Sequence, residues 1–164
     1  MTQIRNGERG LMRMTAHRST PDPSSPRPDW HWLTREVIGA FFDVYNDLGF
    51  GLLESMYGAA LTILLRERSF SVQCEHSLDV MYHGQRIGTY RADLIVETTV
   101  VLELKAGAFL PPGSKPQLIN YLRISGLRVG LLLWFGPVPE FKRVVVSSGP
   151  KTAQQPAVIS SNQQ

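Results

Sequence analysis

Apolar positions along this chain change period several times, and each change marks an element. Val37, Phe41, Val44 and Leu48 recur at helical spacing, flanked by Ile38, Phe42 and Tyr45, which predicts an amphipathic core helix. The folded part is expected to begin near Trp30 to Thr34, with Thr34 as N-cap and Glu36 suited to the positive helix end. Gly49-Phe50-Gly51 closes that helix. A second follows from about Leu53 to Arg68 and should bury Met56, Tyr57, Ala60, Leu61, Leu64 and Leu65. The period then shortens to two. Ser71 to Glu75 and Leu78 to Tyr82 read as extended, His83-Gly84 as a turn, and Gln85 to Val96 as the return strand.

The next segment, Arg91 to Ala106, reads as two apolar strands joined by a polar turn. Pro111-Pro112-Gly113 is a loop, and a third helix opens at Ser114 or Lys115, with Pro116 in its first turn, and ends by Ser125-Gly126. Val129 to Trp134 has the unbroken apolar character of a strand buried on both faces. A helix separates it from the strand before, so the two should lie parallel across a right-handed crossover. Pro137 and Pro139 interrupt the chain before an edge strand over Phe141 to Val146. The order is helix, helix, three-strand antiparallel meander, helix, strand, strand: an α/β domain with a central mixed sheet flanked by helices.

Composition narrows the class without naming an activity. The 164 residues are 43% hydrophobic with a net charge of +3, enough for one globular core and a mild bias toward polyanions. Residues 1–29 are rich in Arg, Ser and Pro and residues 148–164 in Gln and Ser, so both are expected to be disordered around a domain at 30–147. Met12 or Met14 is an alternative start to Met1. Cys74 is the sole cysteine and is expected to serve packing. A single cysteine excludes an intrachain disulfide and fits a reducing cytoplasm. No apolar run reaches the roughly 18 residues that span a bilayer, so no membrane partner is expected.

Three charged residues interrupt the most apolar part of the chain: Asp93, Glu103 and Lys105. Glu103 and Lys105 share one strand face, while Leu102 and Leu104 share the other. Whether Asp93 joins them depends on hairpin register. A three-residue loop Glu97-Thr98-Thr99 sets Asp93 opposite Glu103, whereas a two-residue turn at Glu97-Thr98 sets it against Leu102. The first register is expected, although the loop lacks the glycine usual at such turns. Two acids beside a lysine suit a hard divalent cation such as Mg²⁺ or Mn²⁺, held by Asp93 and Glu103 with the Leu104 carbonyl as a further oxygen. Such an ion acidifies an attacking water and offsets charge on a phosphate. The alternative is a plain Glu103–Lys105 ion pair, but a buried cluster of this kind is costly to keep for stability alone.

Two further patterns carry a resemblance. Gly51, Glu54 and Tyr57 form the Gly-x-x-Glu-x-x-Tyr signature, and from about Thr34 to Val146 the chain resembles the GxxExxY protein family, part of the PD-(D/E)XK nuclease superfamily. The resemblance implies a restriction-endonuclease-like fold and a magnesium-dependent nuclease in which Asp93, Glu103 and Lys105 match the metal-binding and catalytic positions. Glu54, on an otherwise apolar helix stripe, corresponds to a helix glutamate that supports the metal. Gln117 and Tyr121, four apart on one helix face, match the Gln-x-x-x-Tyr motif of the RecB-like branch, which lines the DNA-contacting side. Ala92 stands where the superfamily name expects proline. DNA is the implied partner, in repair, recombination or defence. Basic residues such as Arg91, Lys115, Arg123, Arg128, Lys142 and Arg143 could contact phosphates, with ordinary solvated charge as the alternative for most of them. A module that binds nucleic acid or protein without cutting, and a homodimer, stay open.

Overall fold

A computed structural model describes residues 29–147; the expectations for 1–28 and 148–164 lie outside the described residues. Helix α1, Trp30–Leu48, is capped by Asp29, whose carboxylate accepts the His31 amide at 2.9 Å. Thr34 is therefore not the N-cap: it lies inside the first turns, buried, and its hydroxyl donates to the His31 carbonyl at 3.1 Å. Leu33, Val37, Ala40, Phe41 and Val44 form the buried stripe, and Gly49, at φ 70°, stops the helix in a backbone conformation that glycine adopts without strain. Helix α2, Glu54–Glu67, buries Tyr57, Leu61, Thr62 and Leu65. Met56, expected inside, is 51% exposed because it lies on the outer side of the first turn.

Five strands form one sheet in chain order: β1 (Val72–Tyr82), β2 (Gln85–Val96), β3 (Val100–Ala106), β4 (Val129–Phe135) and β5 (Glu140–Val145). Helix α3, Ser114–Ser125, links β3 to β4, and among these strands that pair alone is parallel. The alternation of side chains divides the core in two. Val100, Leu102 and Leu104 of β3 pack with Leu131, Leu133 and Phe135 of β4 against α1 and α2. Val101 and Leu132 pack on the other face with Leu118, Tyr121 and Leu122 of α3. Cys74, expected to be a packing residue, is exposed on the edge strand β1.

Gly130 shows how closely α3 sits on the sheet. A β-carbon there would lie 2.6 Å from Leu118 Cδ1, and Leu118 is fully buried and cannot swing into solvent. Gly130→Ala is expected to cost about 1–3 kcal/mol, the usual range for an overpacked core. Urea unfolding reads this as a lower midpoint at unchanged slope.

The hairpin β2–β3 adopts the three-residue loop. Val96 pairs with Val100, Ile95 with Val101 and Leu94 with Leu102. Glu97 and Thr98 take positive φ values of 51° and 49° without glycine, a strained conformation held by nearby bonds. The Glu97 carboxylate accepts the Ser71 amide at 2.8 Å, and the Glu97 amide donates back to the Ser71 carbonyl at 2.9 Å.

Candidate active site

The β2–β3 ladder stops at Leu94 and Leu102, and a side chain takes over. Asp93 Oδ2 accepts the Leu104 amide at 2.7 Å, so the carboxylate is fixed against the strand that carries Glu103 and Lys105. Asp93 also stands at an irregularity with β1. The ladder passes from Cys74 opposite Leu94 to His76 opposite Ala92, and Glu75, between them, has φ 53°. Ala92 packs on the α3 side while Leu94 packs on the α1/α2 side. Asp93 therefore stands where the chain changes the face it presents, between Ala92 and Leu94.

Glu103 is 2% exposed and accepts from Lys105 Nζ at 2.6 Å. Lys105 Nζ is 3.8 Å from Glu54 Oε1, which belongs to the first residue of α2. One ammonium thus serves two acids from different elements. Burial raises the Glu103 carboxyl to about 7, with Asp93 and Glu54 adding repulsion and Lys105 opposing it. Glu54 is also raised, by burial first and then by Asp93, against the pull of Lys105 and a backbone hydrogen bond from Ala106. Burial disfavours the Lys105 ammonium, but its bond to Glu103 and the surrounding carboxylates outweigh this and raise its pKa. Glu54, Asp93, Glu103 and Lys105 therefore share one electrostatic cluster, with more acid than base.

The Gly-x-x-Glu-x-x-Tyr segment acquires a physical reading. Gly51 holds φ 111°, which side-chain-bearing residues rarely adopt. The Tyr57 hydroxyl donates to the Gly49 carbonyl at 2.6 Å and accepts the Leu52 amide at 3.2 Å, closing the turn that leads into Glu54. Its ring stacks on Phe135 with centroids 4.1 Å apart. The glycine shapes the turn, the glutamate enters the site and the tyrosine ties the turn to the core. Tyr57→Phe is expected to lower stability by about 1–2 kcal/mol, because it leaves a half-buried carbonyl and an amide short of a partner. Thermal unfolding of the two proteins checks this.

Gln117 and Tyr121 do not share an environment. Gln117 is exposed, whereas Tyr121 is 2% exposed within the α3-side core. The Tyr121 hydroxyl has no hydrogen-bond partner among the described residues, and burial raises it to about 12. Arg91 is engaged by Glu75 at 3.4 Å. His83 takes φ 47° in the β1–β2 turn, as a turn residue should.

The donor chemistry fits a hard cation in part. Two carboxylates, one of them raised by burial and by its acidic neighbours, match the oxygen donors that magnesium prefers while it keeps several waters. The described residues contain no group of three His, Cys, Asp or Glu placed to hold a metal ion. Glu54 does not form such a group with Asp93 and Glu103; its carboxylate lies 3.8 Å from Lys105 Nζ instead.

A five-stranded mixed sheet flanked by helices, with acids and a lysine gathered beside its middle strand, defines a restriction-endonuclease-like α/β domain. The profile of the PD-(D/E)XK nuclease superfamily matches residues 31–144, and the chain belongs to that superfamily. Its members generally use divalent metals. Among solved structures, the crystal structure of SSO0001 is similar, with 18% identity and a TM-score of 0.48 over 75% of this chain and 61% of that one. No curated protein matches. No helix among the described residues is long and apolar enough to cross a membrane.

Proposed function

We propose that the protein is a metal-dependent nuclease of the GxxExxY type that hydrolyses phosphodiester bonds in nucleic acid, with DNA as the first substrate to test. The observation that carries this reading is Glu103: a buried carboxylate raised to about 7, bonded to Lys105 and repelled by Asp93. A structural ion pair needs one acid for one base. Here the surplus acid makes a place for a cation.

Asp93 and Glu103 would hold Mg²⁺ or Mn²⁺. The ion, when bound, supplies a more acidic water and positive charge beside the phosphate. Lys105, with three donor hydrogens, orients the attacking water and balances charge that grows on the phosphoryl oxygens. Glu54 holds the Lys105 ammonium from the α2 side. Gln117, exposed in the first turns of α3, is placed to steady the substrate strand. Tyr121 contributes by seating α3 on the sheet.

The test is cleavage of single-stranded, duplex, branched and RNA substrates with Mg²⁺ or Mn²⁺, alongside Glu103→Ala. Cleavage by the wild type that chelation and Glu103→Ala both remove is the expected result. Activity that survives Glu103→Ala would overturn the site assignment. Binding without cleavage across the whole panel would favour a non-cleaving module.

A further inference from the structure

The sheet register sorts the basic residues by face. Glu103 pairs with Leu132 of β4, and Leu132 pairs with Lys142 of β5. These positions form one row across three adjacent strands. Val101, Leu132 and Val144 all pack on the α3 side, so by alternation Glu103 and Lys142 belong to that side too. Arg143 has the opposite parity. Its partner Leu131 packs on the α1/α2 side, and Phe141, two residues before it, meets Phe42 of α1 edge-on with centroids 6.1 Å apart. Arg143 therefore faces α1 and α2, away from the row that holds Glu103.

Arg91, Arg123, Arg128 and Lys115 lie outside this row. Arg91 is paired with Glu75. Arg123 lies in the last turn of α3, and Arg128 precedes Val129, which pairs with Val100 at the far end of β3 from Lys105. Lys115 stands on α3 rather than on the sheet. Lys142 is exposed and has no ion pair among the described residues, although Glu140 shares its face in the next row. Two strand spacings of about 4.8 Å put its backbone roughly 10 Å from that of Glu103.

We propose that Lys142 binds a backbone phosphate of the substrate strand next to the one being cleaved, a subsite that rests on the nuclease reading. A lysine two strands from Glu103, on its side of the sheet, can reach a neighbouring phosphate without entering the acid cluster. Its role is to position the strand, so it acts on binding and not on the chemical step.

The test compares wild type, Lys142→Met, Lys142→Arg and Arg143→Met. Anisotropy of a labelled single-stranded oligonucleotide is followed against salt, and KM and kcat are measured on the same strand. Lys142→Met should reduce the slope of log K against log salt by about 0.7, the contribution of one phosphate contact on a single strand. It should also raise KM with kcat within about two-fold, since only uniform binding is lost. Lys142→Arg should restore both, and Arg143→Met should match wild type. An unchanged slope and KM in Lys142→Met, or an equal loss in Arg143→Met, overturns the proposal. A wild type that binds but does not cut overturns the nuclease reading while the slope still tests Lys142; one that neither binds nor cuts overturns both.

Discussion

Asp93→Asn is expected to lower cleavage by at least about 10²-fold while leaving the fold intact, a loss in the range seen when one preorganised charge-stabilising group is removed. Asparagine has the same shape and keeps an oxygen that can accept the Leu104 amide, the bond that fixes Asp93 at 2.7 Å. What it lacks is the negative charge. Lys105→Met should lose cleavage to a similar degree for a different reason, because the acids stay but the donor between Glu103 and Glu54 is gone. The two variants separate in cation affinity: Asp93→Asn should weaken it, and Lys105→Met should keep or strengthen it, since a competing positive charge has been removed. Cleavage rates with unfolding curves for both proteins check this. Equal weakening of cation binding in both would contradict the division of roles.

The second large effect is on stability against pH, measured without divalent metal. Glu103 is raised from 4.5 to about 7, first by burial and then by its acidic neighbours. A group raised on folding contributes stability that is fully present below its unfolded pKa and is lost as pH rises through its folded one. Wild type should therefore lose stability between about pH 4.5 and 7, and Glu103→Gln should not show that component. At about 1.4 kcal/mol per unit, the difference between the two proteins should change by about 2–3 kcal/mol across the window. Glu54 has a shift of the same sign but is present in both proteins. Lys105 is raised from 10.5, so its own loss of stability falls at alkaline pH, outside this window. Denaturant unfolding of both proteins from pH 4 to 8 reads the difference. A difference that does not vary with pH would remove the raised carboxyl.

Much of this architecture was legible in the chain. The period of apolar residues marked each helix and strand, and the register of the β2–β3 hairpin followed from keeping Asp93 off the face of Leu102, as the pairing of Leu94 with Leu102 shows. What escaped depended on contacts distant in sequence. Nothing local to Glu97 and Thr98 reveals that Ser71 holds their strained turn. Asp29 caps α1 from the end of a proline-rich stretch, where Thr34 offered the more familiar pattern. Gln117 and Tyr121 share helical spacing, yet Leu118 and Leu122 draw the buried stripe toward Tyr121 and leave Gln117 outside. Tyr57 was legible as an apolar position and a motif residue, but its clamp on Gly49 and Leu52 needed the fold. Lys142 had no distinguishing neighbour in sequence. Its place beside the site comes from two ladders that join β3 to β5 through β4.

Everything proposed for the site depends on Asp93 and Glu103 holding a divalent cation together. The decisive experiment is calorimetric titration of Mn²⁺ into wild type and Asp93→Asn at pH 8, where Glu103 is deprotonated. Saturable binding to the wild type and markedly weaker binding to Asp93→Asn are expected. Absence of binding to the wild type, or equal binding to both proteins, would show that the two acids do not form a cation site.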